Sequence, residues 1–309
     1  MDRYGIPYKG SKNTIAEDVV NAIPPGGKIL DACCGGGAVV QAMAMSLKYD
    51  SVVGNDLNPS VVKLLDAVFI HKGQIEYEHP EPCTRNDFFV SLQKIENGEF
   101  SVQDCVNKFC ASFGNDGKTY LYGREIEDYK LIAERMLTAP TLEQRRGFFR
   151  QFVEICKTGD SINALQYLQR IQSLERLERL ERLERLERLE RLERLERLDC
   201  KSLFDIDYSE FDIVYFDIPY KGTNKYDFEF DYERFYDLFS SLKIPAFLSE
   251  YDAPFECVAE FEKVQLMAAN VGSTKSTTKE KLFFNGTKER YKELMGVNYN
   301  QKAEQCCLL

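Results

Sequence analysis

Two kinds of hydrophobic pattern alternate along this chain. Short continuous apolar runs ending in polar turns predict strands buried on both faces, and apolar residues spaced three and four apart predict helices. Lys28-Ile29-Leu30-Asp31-Ala32-Cys33-Cys34 predicts a strand, Gly35-Gly36-Gly37 a turn, and Ala38 to Met45 a helix. Ser51-Val52-Val53-Gly54-Asn55-Asp56 predicts a second strand, and Asn58 followed by Pro59 a helix start, with a capping side chain before a proline at the first helical position. This is a βαβ unit. From about residue 81 to 172 the pattern turns to mixed helical and polar sequence, with Lys118, Arg124, Lys130, Arg135, Arg145, Arg146 and Arg150 interleaved with acids. Strand signals resume after Leu198, at Phe211 to Phe216, Ile244 to Ser249 and Lys281 to Asn285. The pattern predicts an α/β protein: a parallel-sheet domain over 1–80 and 198–309, interrupted by a mainly helical insert over 81–172.

Between insert and sheet stands a perfect Leu-Glu-Arg repeat, Leu174 to Arg197. Its helix propensity is high, and each Glu meets an Arg four residues later. A period of three against 3.6 makes the leucines precess by roughly 60° per repeat, so no fixed apolar stripe results. The expectation for 173–197 is a charged helical spacer.

The chemistry concentrates where the strands end. Asp217-Ile218-Pro219-Tyr220 follows the apolar run Phe211 to Phe216, and open α/β sheets bind ligands at the C-terminal ends of their strands. A carboxylate and a backbone carbonyl can together accept hydrogen bonds from an exocyclic amino group. Proline fixes φ and leaves the preceding carbonyl exposed, and tyrosine offers a flat face to a planar base. The set suits transfer of a group to the amino nitrogen of adenine. Alone, such a tetrapeptide is often only a turn. Upstream, Gly35-x-Gly37-x-x-Val40 lacks the third glycine of a dinucleotide fingerprint, yet still lets a ligand approach the backbone. Asp56 is placed to hold a ribose diol. Glycine turn, Asp56 and Asp217 together point to a nucleoside cofactor.

With these motifs in this order, the chain resembles the N6-adenine-specific DNA methyltransferases that use S-adenosylmethionine, in particular the group related to the DNA adenine methylases. The resemblance implies a Rossmann-like methyltransferase sheet with 81–172 as target-recognition insert. Tyr8-Lys9-Gly10-Ser11-Lys12 is similar to the family's N-terminal motif, which implies cofactor roles for Tyr8 and Lys12. Asp31-Ala32-Cys33-Cys34-Gly35-Gly36-Gly37 resembles its Asp-Pro-Phe-x-Gly-x-Gly, which brings Asp31, Cys33, Gly35 and Gly37 to the cofactor, with Ala32 and Cys33 departing from the pattern. Gly54-Asn55-Asp56-Leu57-Asn58 is similar to the acidic motif, with Asp56 on the ribose. Asp217-Ile218-Pro219-Tyr220 matches the Asp-Pro-Pro-Tyr motif except at Ile218, a position that contributes its carbonyl; Asp217 also borders the cofactor. Leu248 to Pro254 resembles a later strand motif. The implied partner is double-stranded DNA. A cognate restriction endonuclease is compatible with the family, and the expected state is a monomer or weak dimer. Methyltransferases of cytosine N4, RNA adenine or protein glutamine share the cofactor fold, and an inactive DNA-binding relative or an interaction protein built on the repeat is the remaining alternative.

Composition limits the partners. A net charge of −10 argues against a generic polyanion binder, while leaving room for a local basic patch. The ten cysteines form no C-x-x-C pair and the histidines number two, so reduced thiols and no metal site are expected. The absence of a signal-like start or an apolar run near ~18 residues predicts a soluble, cytoplasmic protein with no membrane partner. The ending Cys306-Cys307-Leu308-Leu309 formally fits a prenylation box, read as coincidence.

Overall fold

A computed structural model describes residues 4–158, 174–189, 192–220, 230–266 and 275–296. The chain divides into two compact units: Met1–Gly5, Ser11–Val62 and Glu190–Leu309 form the first, Ile6–Gly10 and Lys63–Leu189 the second. The division therefore falls earlier than the expected boundary at 80, later than that at 172, and gives part of the N-terminal motif to the second unit.

The strands are β1 (Gly26–Asp31), β2 (Tyr49–Asn55), β3 (Leu195–Asp199), β4 (Ile213–Phe216), β5 (Ala246–Glu250), β6 (Glu256–Leu266) and β7 (Lys275–Phe284). The described helices are α1 (Ala16–Ala22), α2 (Ala38–Met45), α3 (Pro59–Phe69), α4 (Arg85–Glu96), α5 (Val102–Cys110), α6 (Glu127–Thr138), α7 (Leu142–Thr158), α8 (Glu175–Glu187) and α9 (Tyr232–Ser241). None is long and apolar enough to cross a membrane.

All seven strands belong to the first unit, in the order β3-β2-β1-β4-β5-β7-β6. The first five in that order run parallel; β7 is antiparallel to β5, and β6 to β7. Strand β4 is buried at every position, as a central parallel strand requires. Its Val214 and Phe216 join Leu30, Val53, Ile218, Phe235, Phe239, Leu248 and Phe283 in one apolar cluster. Ile218 is 1% exposed, so the residue that departs from the family's tetrapeptide is anchored in the core.

Three local expectations are corrected. Strand β1 ends at Asp31, and Cys33 and Cys34 belong to the turn. There the Ala32 N–H donates to the Tyr215 carbonyl at 2.8 Å and the Cys34 N–H to the Asn55 carbonyl at 2.8 Å, which turns the chain away from the strand direction. The sheet also contains β6, whose Glu260 and Glu262 are exposed; an outer strand of this polarity carries little hydrophobic signal. Its partner β7 starts at Lys275, earlier than the expected Lys281.

The third correction concerns the repeat, which is not a uniform spacer. Its final unit, Leu195-Glu196-Arg197, lies in β3 and pairs with β2, satisfying backbone groups that an open strand edge would leave unpaired. Ser51 Oγ donates to Glu196 at 2.7 Å, and Arg197 meets Glu210 at 3.0 Å. Of the earlier units, Glu175–Glu187 forms α8, which belongs to the second unit. Leu180, Leu183 and Leu186 are buried there, and Arg176, 2% exposed, meets the buried Glu134 at 2.7 Å. Arg179 donates to the Cys110 and Ser112 carbonyls at 3.0 and 2.6 Å.

Elsewhere in the second unit, α4 and α5 begin with capping boxes, Thr84 with Asp87 and Ser101 with Asp104. Phe88, Ala111, Tyr120, Leu121 and Tyr122 form its apolar cluster with Cys83. The expected loop from Lys221 to Tyr226 and the C-terminal Cys306-Cys307-Leu308-Leu309 lie outside the described residues.

Because Glu134 and Arg176 are both buried, removing one partner strands the other. Arg176→Ala should lower the unfolding free energy by about 3–5 kcal/mol, measured by denaturant titration. Adding Glu134→Gln, which keeps an acceptor for the Tyr122 hydroxyl, should recover most of that loss.

Candidate active site

Strand order reverses between β1 and β4, and at such a switch point the chain segments leaving the two strands diverge and open a crevice. Asp31 ends β1, and Asp217 follows the last residue of β4. Asp31 is 1% exposed, and neither of its carboxyl oxygens has a hydrogen-bond partner among the described residues. Burial pushes its pKa well above the usual carboxylate range; the Asp217 charge pushes the same way, and the nearby Cys33 N–H offsets this only in part. Asp217, by contrast, is held: Lys12 Nζ lies 2.5 Å from its Oδ1. Burial alone would lower the Lys12 pKa, but the Asp217 and Glu280 charges outweigh it and raise the pKa, keeping the ammonium charged.

The glycine turn is held from two sides. Gly37 caps α2 in the left-handed region at φ 75°, where a side chain would be strained. On the other side the N-terminal segment lies against it. A Cβ on Gly5 would stand 2.3 Å from the Gly36 carbonyl oxygen, and the Gly5 N–H donates to Gln41 at 2.6 Å. Asp56 accepts from the Gly35 N–H and the Asn58 N–H, each at 2.9 Å, one on each carboxyl oxygen. Each oxygen keeps a second lone pair for an incoming hydroxyl. Burial raises the Asp56 pKa against these two N–H contacts. Burial, then the Asp56 and Asp31 charges, push the Cys33 and Cys34 thiols up, which makes them poor nucleophiles.

Beyond Asp217 the tetrapeptide is tied at each step. The Tyr232 hydroxyl on α9 donates to the Pro219 carbonyl at 2.9 Å. The Tyr220 hydroxyl donates to Glu280 at 2.6 Å, its ring lies 4.7 Å from Lys12 Nζ, and it meets the Tyr251 ring edge-on at 4.7 Å. Tyr251 also lines a cavity of about 460 Å³ with Tyr236, Glu250, Asp252, Ala253 and Pro254. This cavity coincides with the later strand motif.

The first unit thus brings together Lys12, Asp31, Cys33, Gly35, Gly37, Asp56 and Asp217 to Tyr220. Tyr8 belongs to the second unit, where its ring lies 5.8 Å from Phe109. Sequence reasoning missed Glu280, Asn55 and Tyr232. Glu280 sits in the polar part of β7, just before the apolar Leu282, Phe283 and Phe284. Asn55 staples the ends of β2 and the β1 turn, donating to the Ala32 and Lys201 carbonyls at 3.0 and 3.1 Å; its place inside the acidic motif was the available signal. Among the described residues no group of three His, Cys, Asp or Glu side chains is arranged to hold a metal.

The arrangement suits a ligand with positive charge near Asp31 and Asp217, a diol at Asp56, and a planar amine near Tyr220. The family model of the D12 class N6 adenine-specific DNA methyltransferases matches residues 8–282. No curated protein matches the chain. Members of this family generally use S-adenosylmethionine as methyl donor.

A cationic ligand should draw the proton from Asp31. The raised pKa favours the protonated form in the free site, and an adjacent positive charge opposes it, so affinity should rise with pH through the Asp31 titration. Calorimetry in buffers of different ionisation enthalpy should show proton release with S-adenosylmethionine, and less with S-adenosylhomocysteine, which lacks the sulfonium charge. Asp31→Asn should abolish the difference.

Proposed function

The chain belongs to the D12 class of N6 adenine-specific DNA methyltransferases, and on that premise we propose how its residues divide the transfer of a methyl group to adenine N6 in DNA. The observation that carries the assignment is the pair of strand-end carboxylates, Asp217 held by Lys12 and Asp31 buried with both oxygens unpartnered among the described residues.

Asp31 and Asp217 supply negative charge for the cationic parts of S-adenosylmethionine. Asp56, fixed by two backbone N–H groups, accepts from the ribose hydroxyls, and Gly35 to Gly37 let the ligand lie against the backbone. When bound, the cofactor supplies an electrophilic methyl on its sulfonium. Cys33 lines this side of the site. Lys12 serves it by holding Asp217, and Tyr8 keeps the cofactor role that the N-terminal motif implies.

The target adenine must leave the helical stack, at a cost of about a few kcal/mol, because N6 is inaccessible within it. The cavity beside Tyr251 receives it. Asp217 and the Ile218 carbonyl accept hydrogen bonds from N6, turning its lone pair toward the methyl, and Tyr220 stabilises the base through its ring. Transfer is direct: orientation and stabilisation of the developing positive charge on N6 do the catalytic work. The protonated Cys33 and Cys34 take no part as nucleophiles. Ile218 can replace proline because its side chain is clamped in the core while its carbonyl does the chemistry.

Residues 81–172 carry DNA recognition. On α7, Arg146, Phe149 and Arg150 are all exposed, a basic and aromatic face suited to a polyanion. Lys130 is not part of that surface: it is 7% exposed and lies 5.8 Å from the Tyr122 ring.

Labelled methyl from S-adenosylmethionine should enter unmethylated duplex DNA as N6-methyladenine with the wild-type chain. Asp217→Ala should lose about 100-fold or more in rate while retaining DNA binding. Label found in RNA or protein instead would overturn the substrate. Replacing Arg146 and Arg150 by Gln should weaken DNA binding at all sequences alike and reduce the log–log salt slope by roughly 0.9 for each phosphate left without its cation.

A further inference from the structure

Glu280 belongs to none of the motifs, yet it sits at the centre of the site. On β7 it lies between Lys279, exposed, and Lys281, half-buried, while Glu280 itself is 1% exposed. A carboxylate withdrawn from water needs charged or hydrogen-bonding partners. Its Oε1 has two: Lys12 Nζ at 3.0 Å and the Tyr220 hydroxyl at 2.6 Å. Lys12, 4% exposed, also stands 2.5 Å from Asp217 Oδ1 and 4.7 Å from the centre of the Tyr220 ring. Lys12, Glu280 and Tyr220 close a ring of contacts, and Asp217 joins it through Lys12.

Two consequences follow from this ring. The phenol of Tyr220 has its hydroxyl fixed, and with it the ring that meets the base. The single ammonium of Lys12 is also divided between two carboxylates. With Glu280 present, Lys12, Glu280 and Asp217 together carry one net negative charge. Without it, Lys12 and Asp217 become a neutral pair, and Asp217 directs its electron density to the ammonium instead of to the amino group of the base.

We propose that Glu280 is a positioning residue for methyl transfer, holding the Tyr220 ring and limiting the share of the Lys12 charge that reaches Asp217. This rests on the placement of the amino group at Asp217 argued above. Among the described residues, the ionisable groups around Asp217 include Lys12, Asp31, Glu280, Cys33, Tyr215, Tyr220 and Tyr251. Among these, Glu280 ties the Tyr220 hydroxyl to Lys12 and, through Lys12, to Asp217.

The test compares Glu280→Gln, Glu280→Asp and Asp217→Ala with wild type in single-turnover methylation of duplex DNA across pH. Glu280→Gln keeps an oxygen for the Tyr220 hydroxyl and removes the charge. Its rate plateau should fall roughly 10-fold, with little change in KM for DNA or cofactor. Its acid limb should move to lower pH, because a like charge that favoured protonation of Asp217 is gone. Glu280→Asp keeps the charge and shortens the reach, so the acid limb should return toward wild type while the rate stays reduced. An unmoved acid limb and full rate in Glu280→Gln, with only stability lowered, would overturn the proposal and leave a buried structural ion pair. If Glu280→Gln does not fold, Glu280→Asp decides: a wild-type rate in that variant sinks the positioning role. A separate failure is recognisable, since equal rates in wild type and Asp217→Ala would remove the site assignment itself and this inference with it.

Discussion

The structure around the site depends on one electrostatic imbalance: several carboxylates are gathered at the C-terminal edge of the sheet and Lys12 is shared between two of them. Asp31 and Asp217 meet because strand order reverses between β1 and β4. A charge pair about 4 Å apart gains about 4 kcal/mol at an effective dielectric near 20. Leaving a buried charge unpaired costs about 3–5 kcal/mol. One ammonium therefore compensates Asp217 and Glu280 in part, and burial together with the Asp217 charge pushes the Asp31 pKa up. A site in this state is pre-set for a cation, because the ligand brings the charge that the protein lacks.

On the side proposed for the cofactor, rigidity comes from contacts made to the backbone. The Gly5 contact with Gly36 leaves no room for a Cβ, and Asp56 is pinned by the N–H groups of Gly35 and Asn58. On the base side the ties are side chains reaching in from distant elements: Tyr232 to the Pro219 carbonyl and Glu280 to the Tyr220 hydroxyl. The difference suits the two ligands. In the function proposed above, the cofactor is met by fixed backbone and the base by rings whose hydroxyls are tied to Glu280 and to the Pro219 carbonyl.

The part of this legible in the sequence was the part written locally. Asp31, Asp56 and Asp217 each end an apolar run, and that juxtaposition of strand and carboxylate is visible without a partner. Glu280 was not legible, because its meaning lies in contacts with Tyr220, 60 positions away, and with Lys12 in the N-terminal segment. Nothing in Lys279-Glu280-Lys281 separates the buried carboxylate from its solvent-facing neighbours. Strand β6 was hidden for a related reason, since an outer strand gains its order from backbone pairing with β7 and carries charged side chains. Tyr8 shows the opposite case: its motif was recognisable, but the compact unit to which it belongs was not.

The repeat states the limit most sharply. Every Leu-Glu-Arg unit is chemically the same, so no local propensity distinguishes the units in α8 from the one in β3. The choice is made by what each meets. Glu134 and the carbonyls of Cys110 and Ser112 take up Arg176 and Arg179 of the helical part, while the open edge of β2 takes up Leu195 to Leu198. Precession of the leucines, which argued against a fixed stripe, is tolerated because α8 buries a broad face and an arginine along with Leu180, Leu183 and Leu186. Identical units thus adopt a helix and a strand in one chain, which places the decision in tertiary contacts and explains why propensity gave the helical part of the repeat and not the strand of its final unit.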